Sequence, residues 1–580
     1  MTVAALPGSE PQTLAPARLN VQSGVRVALF VILVLLVAGP LLALIISSLQ
    51  PKTAALFDFS VLTLDNYRDV LFRPGTWQLV VNTLAYAGGS VTLAILGATG
   101  IAFLTERTDV PGRTLVRVLL FSWMAVPPLV FGYGWILLIN PGQGAVNVAL
   151  KSLFGLSTAP LTPYSMWALV GIAGLSLIPT AYVMVSGLLR NMDPTLEDAA
   201  FVAGASRITV ARRITMPLLA AGLLSIGIFL MMAMVQSFDL PMIIGLTAQI
   251  PVLSTRIYTA ASPDSGVPNY GLASAFGVCL LCLAVALMFI YARLTQASEK
   301  FRTVTGKGFR PRRVQLTGGS RVAAISALVA YFALMLLPLL ILFWASLFPF
   351  YRLPAISELA NMSLDSYRSV LSQPQALRAI GNTVLLFLAS SLAVIVLSCL
   401  VSWFAVRGGG RFGRLLDMLS FAPMAVPPVV LAIALLLVFL RTPLNGTIWV
   451  LVIGHVTIYL AFGTRTMNGA LVQIHKELED AALVSGASWA TSLRRVLFPM
   501  VWPHIINAWL WVVAHSARDL TFPLLLMTST NVVAATAIYL RWDFPDLPGA
   551  AALSMLVVLG LMLIVVPIQI YVTRKIDQRG

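Results

Sequence analysis

EDAAFVAGAS, Glu197 to Ser206, returns as EDAALVSGAS, Glu479 to Ser488, identical at eight of ten positions. In each copy a proline follows the glycine by thirteen residues, Pro217 after Gly204 and Pro499 after Gly486. Outward from these segments the chain reads as one unit written twice. LTLDNYRDVL at 62–71 resembles MSLDSYRSVL at 362–371, Asn82-Thr83 matches Asn382-Thr383, and MAVPP at 124–128 recurs unchanged at 424–428. These matches are displaced by 300 residues, whereas the EDAA segments are displaced by 282, so the first half carries about 18 extra residues between Pro128 and Glu197. Pro141, Gly142, Gly144, Pro160 and Pro163 place that insertion in a loop at the end opposite the motif. Repeats of this size signal duplicated architecture.

The background to the polar motif is apolar. Hydrophobic residues fill 58% of 580 positions and charged ones 10%, against roughly 25% charged in soluble domains. Runs long enough to cross about 30 Å of hydrocarbon occur near 26–48, 78–104, 114–139, 165–189, 216–235 and 272–292. A second set lies near 322–346, 379–405, 415–440, 447–464, 498–515 and 550–573. The expected fold is an all-α polytopic membrane protein, with about 12 transmembrane helices as two parallel six-helix repeats. An even number of spans gives both copies one orientation, which leaves a pathway between them. The boundaries expected are a disordered cytoplasmic terminus over 1–25, a first half over 26–293, a basic cytoplasmic linker over 294–320 and a second half over 321–580. No small-residue cleavage site follows the first span, which is expected to stay as an anchor.

Net charge is +16, but in a membrane chain its distribution carries the meaning. With the amino terminus inside, the inner segments hold 27 Lys and Arg and the outer ones 11, as retention of positive charge on the cytoplasmic side requires. Both termini and both EDAA segments are then expected on the cytoplasmic side. The basic run Arg293 to Arg321 suits a linker beside anionic lipid and needs no nucleic acid to explain it. Cys279, Cys282 and Cys399 fall within spans, where apolar neighbours make ordinary buried thiols.

Around the motif, Asp193 can cap a helix, Pro194 suits its first turn, and Glu197 and Asp198 put negative charge near the positive end of the dipole. Ala199 and Ala200, like Ala481 and Ala482, permit close approach of another protein surface, and Gly204 and Gly486 allow a turn forbidden to larger residues. Arg212, Arg213, Arg494 and Arg495 then lie near membrane re-entry, with Pro217 and Pro499 where the next span begins. A well-capped loop would explain one such segment; two nearly identical copies point instead to a surface that docks two copies of one partner.

These features resemble the EAA loop of permease subunits of type I ATP-binding-cassette importers, in a fused double-length form most like the ferric iron permeases. The resemblance covers nearly the whole chain. It implies that Glu197, Asp198, Ala199, Ala200, Gly204 and Pro217, with Glu479, Asp480, Ala481, Ala482, Gly486 and Pro499, form two coupling helices that dock in a separate ATPase subunit. It also implies two copies of that ATPase, carrying ATP and Mg, and an external substrate-binding protein. The chain itself has no phosphate-cradling GxxxxGK[ST] loop, since Gly306-Lys307 is followed by Gly308 and preceded five positions earlier by Phe301. No catalytic residue and no cofactor are expected in it.

Candidates for a transport pathway are the paired prolines Pro127, Pro128, Pro427 and Pro428, which remove backbone donors inside spans and should bend them. The polar residues Asn82, Asn382, Gln236, Asp239, His455, His515, Arg518 and Asp519 complete the set, because polar groups at membrane depth have partners or line a path. Asn82 and Asn382 can equally tie helices together. Arg518 and Asp519 are expected to neutralise one another. His455, His475, His504 and His515 are scattered and no metal site is expected. The resemblance implies ferric iron as substrate, with thiamine, polyamines and phosphonates as alternatives; an ion-coupled secondary transporter is the alternative of another class, and a membrane scaffold a third.

Overall fold

The computed structural model describes residues 16–52, 59–190, 192, 195–263, 266–299, 314–408, 410–475 and 477–577. In the first half the principal helices are α1 (Ser23–Ser48), α2 (Asp65–Phe72), α3 (Thr76–Arg107), α4 (Arg113–Trp123), α5 (Pro128–Ile139), α6 (Met166–Arg190), α7 (Thr195–Val202), α8 (Met216–Val235), α9 (Leu253–Ala261) and α10 (Tyr270–Glu299). The second half repeats them in order as α11 (Gly319–Ser346), α12 (Asp365–Ser372), α13 (Pro374–Val406), α14 (Gly410–Phe421), α15 (Pro428–Phe439), α16 (Ile448–Val472), α17 (Glu477–Val484), α18 (Phe498–Arg518), α19 (Ala534–Asp543) and α20 (Leu547–Asp577). Helix begins at Pro16, ahead of the expected boundary at 26; residues 1–15 and 300–313, within the expected terminus and linker, lie outside the described residues.

Among the described residues ten helices are long and apolar enough to cross a membrane unaided, and two further pairs of helices reach that length only across a bend. The pair α4 and α5 turns through 101°, and α14 and α15 through 107°. The cause is MAVPP: Pro127 and Pro427 sit extended at the helix start, while Pro128 and Pro428 open the next helix at a position that needs no donor. Each bent pair amounts to one crossing. Glu106 on α3 meets Arg190 on α6 at 3.3 Å, and Thr105 lies 2.9 Å from the Tyr182 hydroxyl, so the two helices end side by side. They therefore run parallel, and the chain between them must traverse the bilayer. Six crossings per half follow, with both motif segments at one end.

The duplicated sequence signatures have structural counterparts. In LTLDNYRDVL, Asn66 donates to the carbonyls of Ser48 and Gln50, and the Tyr67 hydroxyl lies 2.7 Å from Ser48, latching α2 to the end of α1. Ser366 and Tyr367 repeat this on Phe348 and Ser346. The first-half insertion is a helix, Ala145–Phe154. It is anchored by Asn147, whose amide donates to the carbonyls of Ile139, Asn140 and Leu161. Among the cysteines, Cys282 faces outward instead of being buried.

The two halves exchange contacts through their first helices, each of which also packs on the last helix of its own half. The N-terminal part of α1 packs on α14 of the second half, where Leu29 and Leu33 join Phe404, Leu416 and Leu460, and its later part packs on α15. Reciprocally, α11 packs on α5. Gly134 permits that approach, because a Cβ there would stand 2.2 Å from the Pro338 carbonyl oxygen. Tyr133 on α5 stacks on Trp542 of α19 at 3.9 Å. Close fitting of small residues and rings drives helix association where lipid offers no hydrophobic advantage.

Candidate coupling segments and an interior polar cluster

At the motif end, α7 and α17 are short helices closed by glycine. Gly204 has φ +81° and Gly486 φ +86°, the left-handed conformation that a side chain resists. The Ala205 amide donates to the Ala200 carbonyl and the Gly204 amide to that of Phe201, and Ala487 donates likewise to Ala482. This Schellman closure satisfies the last carbonyls and sets the exit direction of the chain. Asp193 and Pro194 lie outside the described residues, as does the side chain of Asp198; Asp480 is exposed. Pro217 and Pro499 each occupy the first turn of the following span. Just ahead of them, Arg212, Arg213, Arg494 and Arg495 are exposed on π-helical turns.

Each motif glutamate is held from the bundle. Arg107, the last residue of α3, meets Glu197 at 3.1 Å, and the Thr215 hydroxyl donates to the other carboxylate oxygen at 2.6 Å. In the second half Arg407 meets Glu479 at 2.6 Å, and the Trp403 indole donates to it at 3.2 Å. Arg407 also donates to the Ile474 carbonyl. Charge-assisted bonds of this kind, shielded from water, fix orientation strongly. With the glutamates turned inward, Ala199 and Ala481 are exposed, and Val202 and Val484 stand 89% and 88% exposed beside them. Sequence reading overlooked Arg107 and Arg407. Their signal was present: both are basic, both close the long second span, and they are 300 residues apart.

Deeper in the bundle, residues from both halves converge. A cavity of about 140 Å³ is lined by Tyr86, Met124, Ser237 and Asp239 from the first half and Arg518 from the second. Thr521 donates to Asp239 at 3.3 Å, and Arg518 donates to the carbonyl of Met124, in MAVPP. Asp519 makes no salt bridge with its neighbour Arg518, though the two charges still act on one another; it meets His455 at 3.1 Å and accepts from the Phe522 amide. Adjacent residues at a helix end point apart, so each finds a partner elsewhere. His515 stacks on Trp511 at 3.8 Å, and Gln236 ends α8 beside the cluster. No group of three metal-ligating side chains occurs among the described residues.

Asn82 and Asn382 lie apart from this cavity. Asn82 donates to the Pro251 carbonyl and Asn382 to that of Val532. The adjoining hydroxyls accept the first amides of the buried short helices, Thr83 from Leu253 of α9 and Thr383 from Ala534 of α19. The Asn-Thr pair therefore caps a neighbouring helix from α3 or α13, which meets the need of unpaired amides at a helix start.

The sequence profile of the binding-protein-dependent transport system inner membrane component family matches residues 90–300 and 395–578. The Fe(3+)-transport system permease protein FbpB 2 of Haemophilus influenzae is 22% identical over 497 residues, 85% of this chain and 89% of that one. The ferric transport system permease protein FbpB of Actinobacillus pleuropneumoniae is 23% identical over 478 residues, 80% of this chain and 67% of that one. Partial similarity reaches the maltose/maltodextrin permease MalF of Vibrio parahaemolyticus, 26% identical over 235 residues, 38% of this chain and 45% of that one. With the profile matched once in each half and covering most of the chain, this protein belongs to the family of inner-membrane components of binding-protein-dependent transport systems, as a double-length permease of the ATP-binding-cassette importers.

Proposed function

We propose that the chain supplies both transmembrane halves of an ATP-driven importer of ferric iron, receiving it from an external binding protein and releasing it to the cytoplasm by alternating access. The observation that carries the mechanism is the matched pair of motif helices, each clamped inward by Arg107 or Arg407 and each presenting alanine and valine outward. Two equal docking faces at one end fit two copies of one ATPase subunit. Closure of those subunits around ATP moves α7 and α17, and the arginine clamps transmit the motion to α3 and α13. ATP acts by binding the closed state more tightly than the open one.

The excess of Lys and Arg at the motif end supports an orientation with the motif and both termini in the cytoplasm. The transit path runs through the cavity bounded by Asp239 and Arg518, where the halves meet, with the bends at Pro128 and Pro428 as its hinges. Iron is favoured over sugars because the relatives named for ferric transport align along most of the chain, whereas the maltodextrin relative aligns with 38% of it. Selectivity then resides in the external binding protein. The test is uptake of labelled ferric iron by cells with and without the gene, with labelled thiamine in parallel. Uptake that needs the gene and ceases on ATP depletion supports the reading; unchanged iron uptake under iron starvation removes iron as the cargo.

A further inference from the structure

The two motif helices are clamped alike but backed differently. Arg107, which holds Glu197, directly follows Glu106, a carboxylate only 4% exposed. Arg117 of α4 grips Glu106 with two bonds, Nε to Oε1 at 3.1 Å and Nη2 to Oε2 at 2.8 Å. Arg190, the last residue of α6, reaches the same carboxylate at 3.3 Å, and the Tyr182 hydroxyl donates to it at 3.4 Å. One buried acid thus ties α3, α4 and α6 together beside the clamp. Bidentate, charge-assisted pairs of this kind fix orientation as well as distance.

The duplication did not copy this tie. By the 300-residue displacement Glu106 corresponds to Val406 and Arg117 to Asp417; by the 282-residue displacement Tyr182 corresponds to Thr464 and Arg190 to Val472. Asp417 turns to α16 instead, meeting Arg465 at 3.5 Å and accepting from Asn468 at 2.8 Å. That pair joins α14 to α16, and apolar Val406 brings no acid from α13 to join them. In the first half the tie also leads inward. Arg117 lies two helical turns before Met124, whose carbonyl accepts from Arg518 of the second half at the interior cavity. We infer that Glu106 is a positioning residue that makes α7 the stiffer of two unequal levers. Displacement of α7 passes through Arg107 and Glu106 to α4, and so to Met124 where the halves meet, whereas α17 displaces α13 first. The inference rests on the reading of α7 and α17 as docking helices. A rigid connection between elements is the physical requirement for such a route, and the buried acid supplies it.

The test is double electron–electron resonance on the full chain in lipid nanodiscs, with Cys279, Cys282 and Cys399 replaced by alanine. Spin labels at Val202→Cys and Leu115→Cys report α7 against α4, and labels at Val484→Cys and Met418→Cys report α17 against α14; all four side chains are exposed. The first pair is expected to give the narrower distance distribution. Glu106→Gln should broaden it about twofold, as release of a helix from a fixed tie allows, and leave the second pair unchanged. Glu106→Val with Arg117→Leu replaces the buried ions by apolar side chains, which keeps stability close to the original; it should broaden the first pair equally while the melting temperature holds. The double variant decides the matter where the single one fails to fold. Equal widths in the unaltered chain, no broadening in the double variant, or broadening of both pairs together would each overturn the inference. These distances need neither cargo nor ATPase, so their failure is distinct from a loss of the proposed function, which gene-dependent iron uptake decides.

Discussion

Arg107 closes on Glu197 across ninety residues of chain, 3.1 Å apart and largely shielded from water. Arg107→Ala would strand the glutamate beside a vacated pocket. Breaking such a pair costs about 3 kcal/mol, so the variant should melt earlier and transport poorly. Arg107→Met combined with Glu197→Leu should recover the melting temperature without recovering transport; recovery of both would show that the clamp is only structural. Thermal unfolding and uptake, measured on the same preparations, check this.

Gly204 and Gly486 have open space where a Cβ would go, nothing lying within 4 Å of either. Their requirement is conformational, so Gly204→Val should cost about 1–2 kcal/mol from the left-handed backbone alone and disturb the motif's exit. Asparagine, which tolerates that conformation, should be milder. Transport should fall in the order glycine, asparagine, valine, and equal transport in the double valine variant would end the coupling assignment.

Gly134 presents the opposite case, a Cβ there meeting Pro338 backbone at 2.2 Å. Gly134→Val should destabilise by about 1–3 kcal/mol or more by overpacking the contact between halves. Gly171→Ala, with nothing within 4 Å, should be neutral or slightly stabilising, since alanine favours helix. Melting temperatures of the two variants decide it.

Thr521 reaches Asp239 across the two halves. Thr521→Val keeps the shape and leaves the buried acceptor short of a donor, at a cost of about 1–3 kcal/mol. A double-mutant cycle with Asp239→Asn should return a coupling energy, because contacting pairs are not additive. An additive cycle would mean that the bond carries nothing.

Thr83→Val and Thr383→Val each remove the acceptor for a short helix's first amide. Each should cost about 1 kcal/mol, and the losses should sum in the double variant, since the sites belong to separate halves. Denaturant titration of the single and double variants measures both.

The duplication, the spans and the bends at Pro128 and Pro428 were legible because they rest on local chemistry: apolar length and a missing donor. The inserted helix after Asn140 was legible as an insertion, from a change in register between repeats. The arginine clamps were written in that same register but are charge at a helix end, which looks like ordinary membrane-edge polarity until the partner glutamate is placed. α9 and α19 escaped notice since their starts are capped by threonines on α3 and α13, a tertiary device with no local signature. The meeting of Asp239 with Thr521 joins residues 282 apart, and no periodicity reports that. Nor does an apolar face declare which half it will pack against, so the exchange of α1 and α11 was invisible.

That exchange decides what can swing as a unit. α1 is seated on α14 and α15 of the other half as well as on α10 of its own, and α11 on α5 as well as on α20, so a rocking motion of one half against the other pulls on both leading helices. The mechanical parts of this protein are chimeric with respect to its gene: a cut in the linker would sever the polypeptide without separating the machine, and two co-expressed fragments divided there should still purify together.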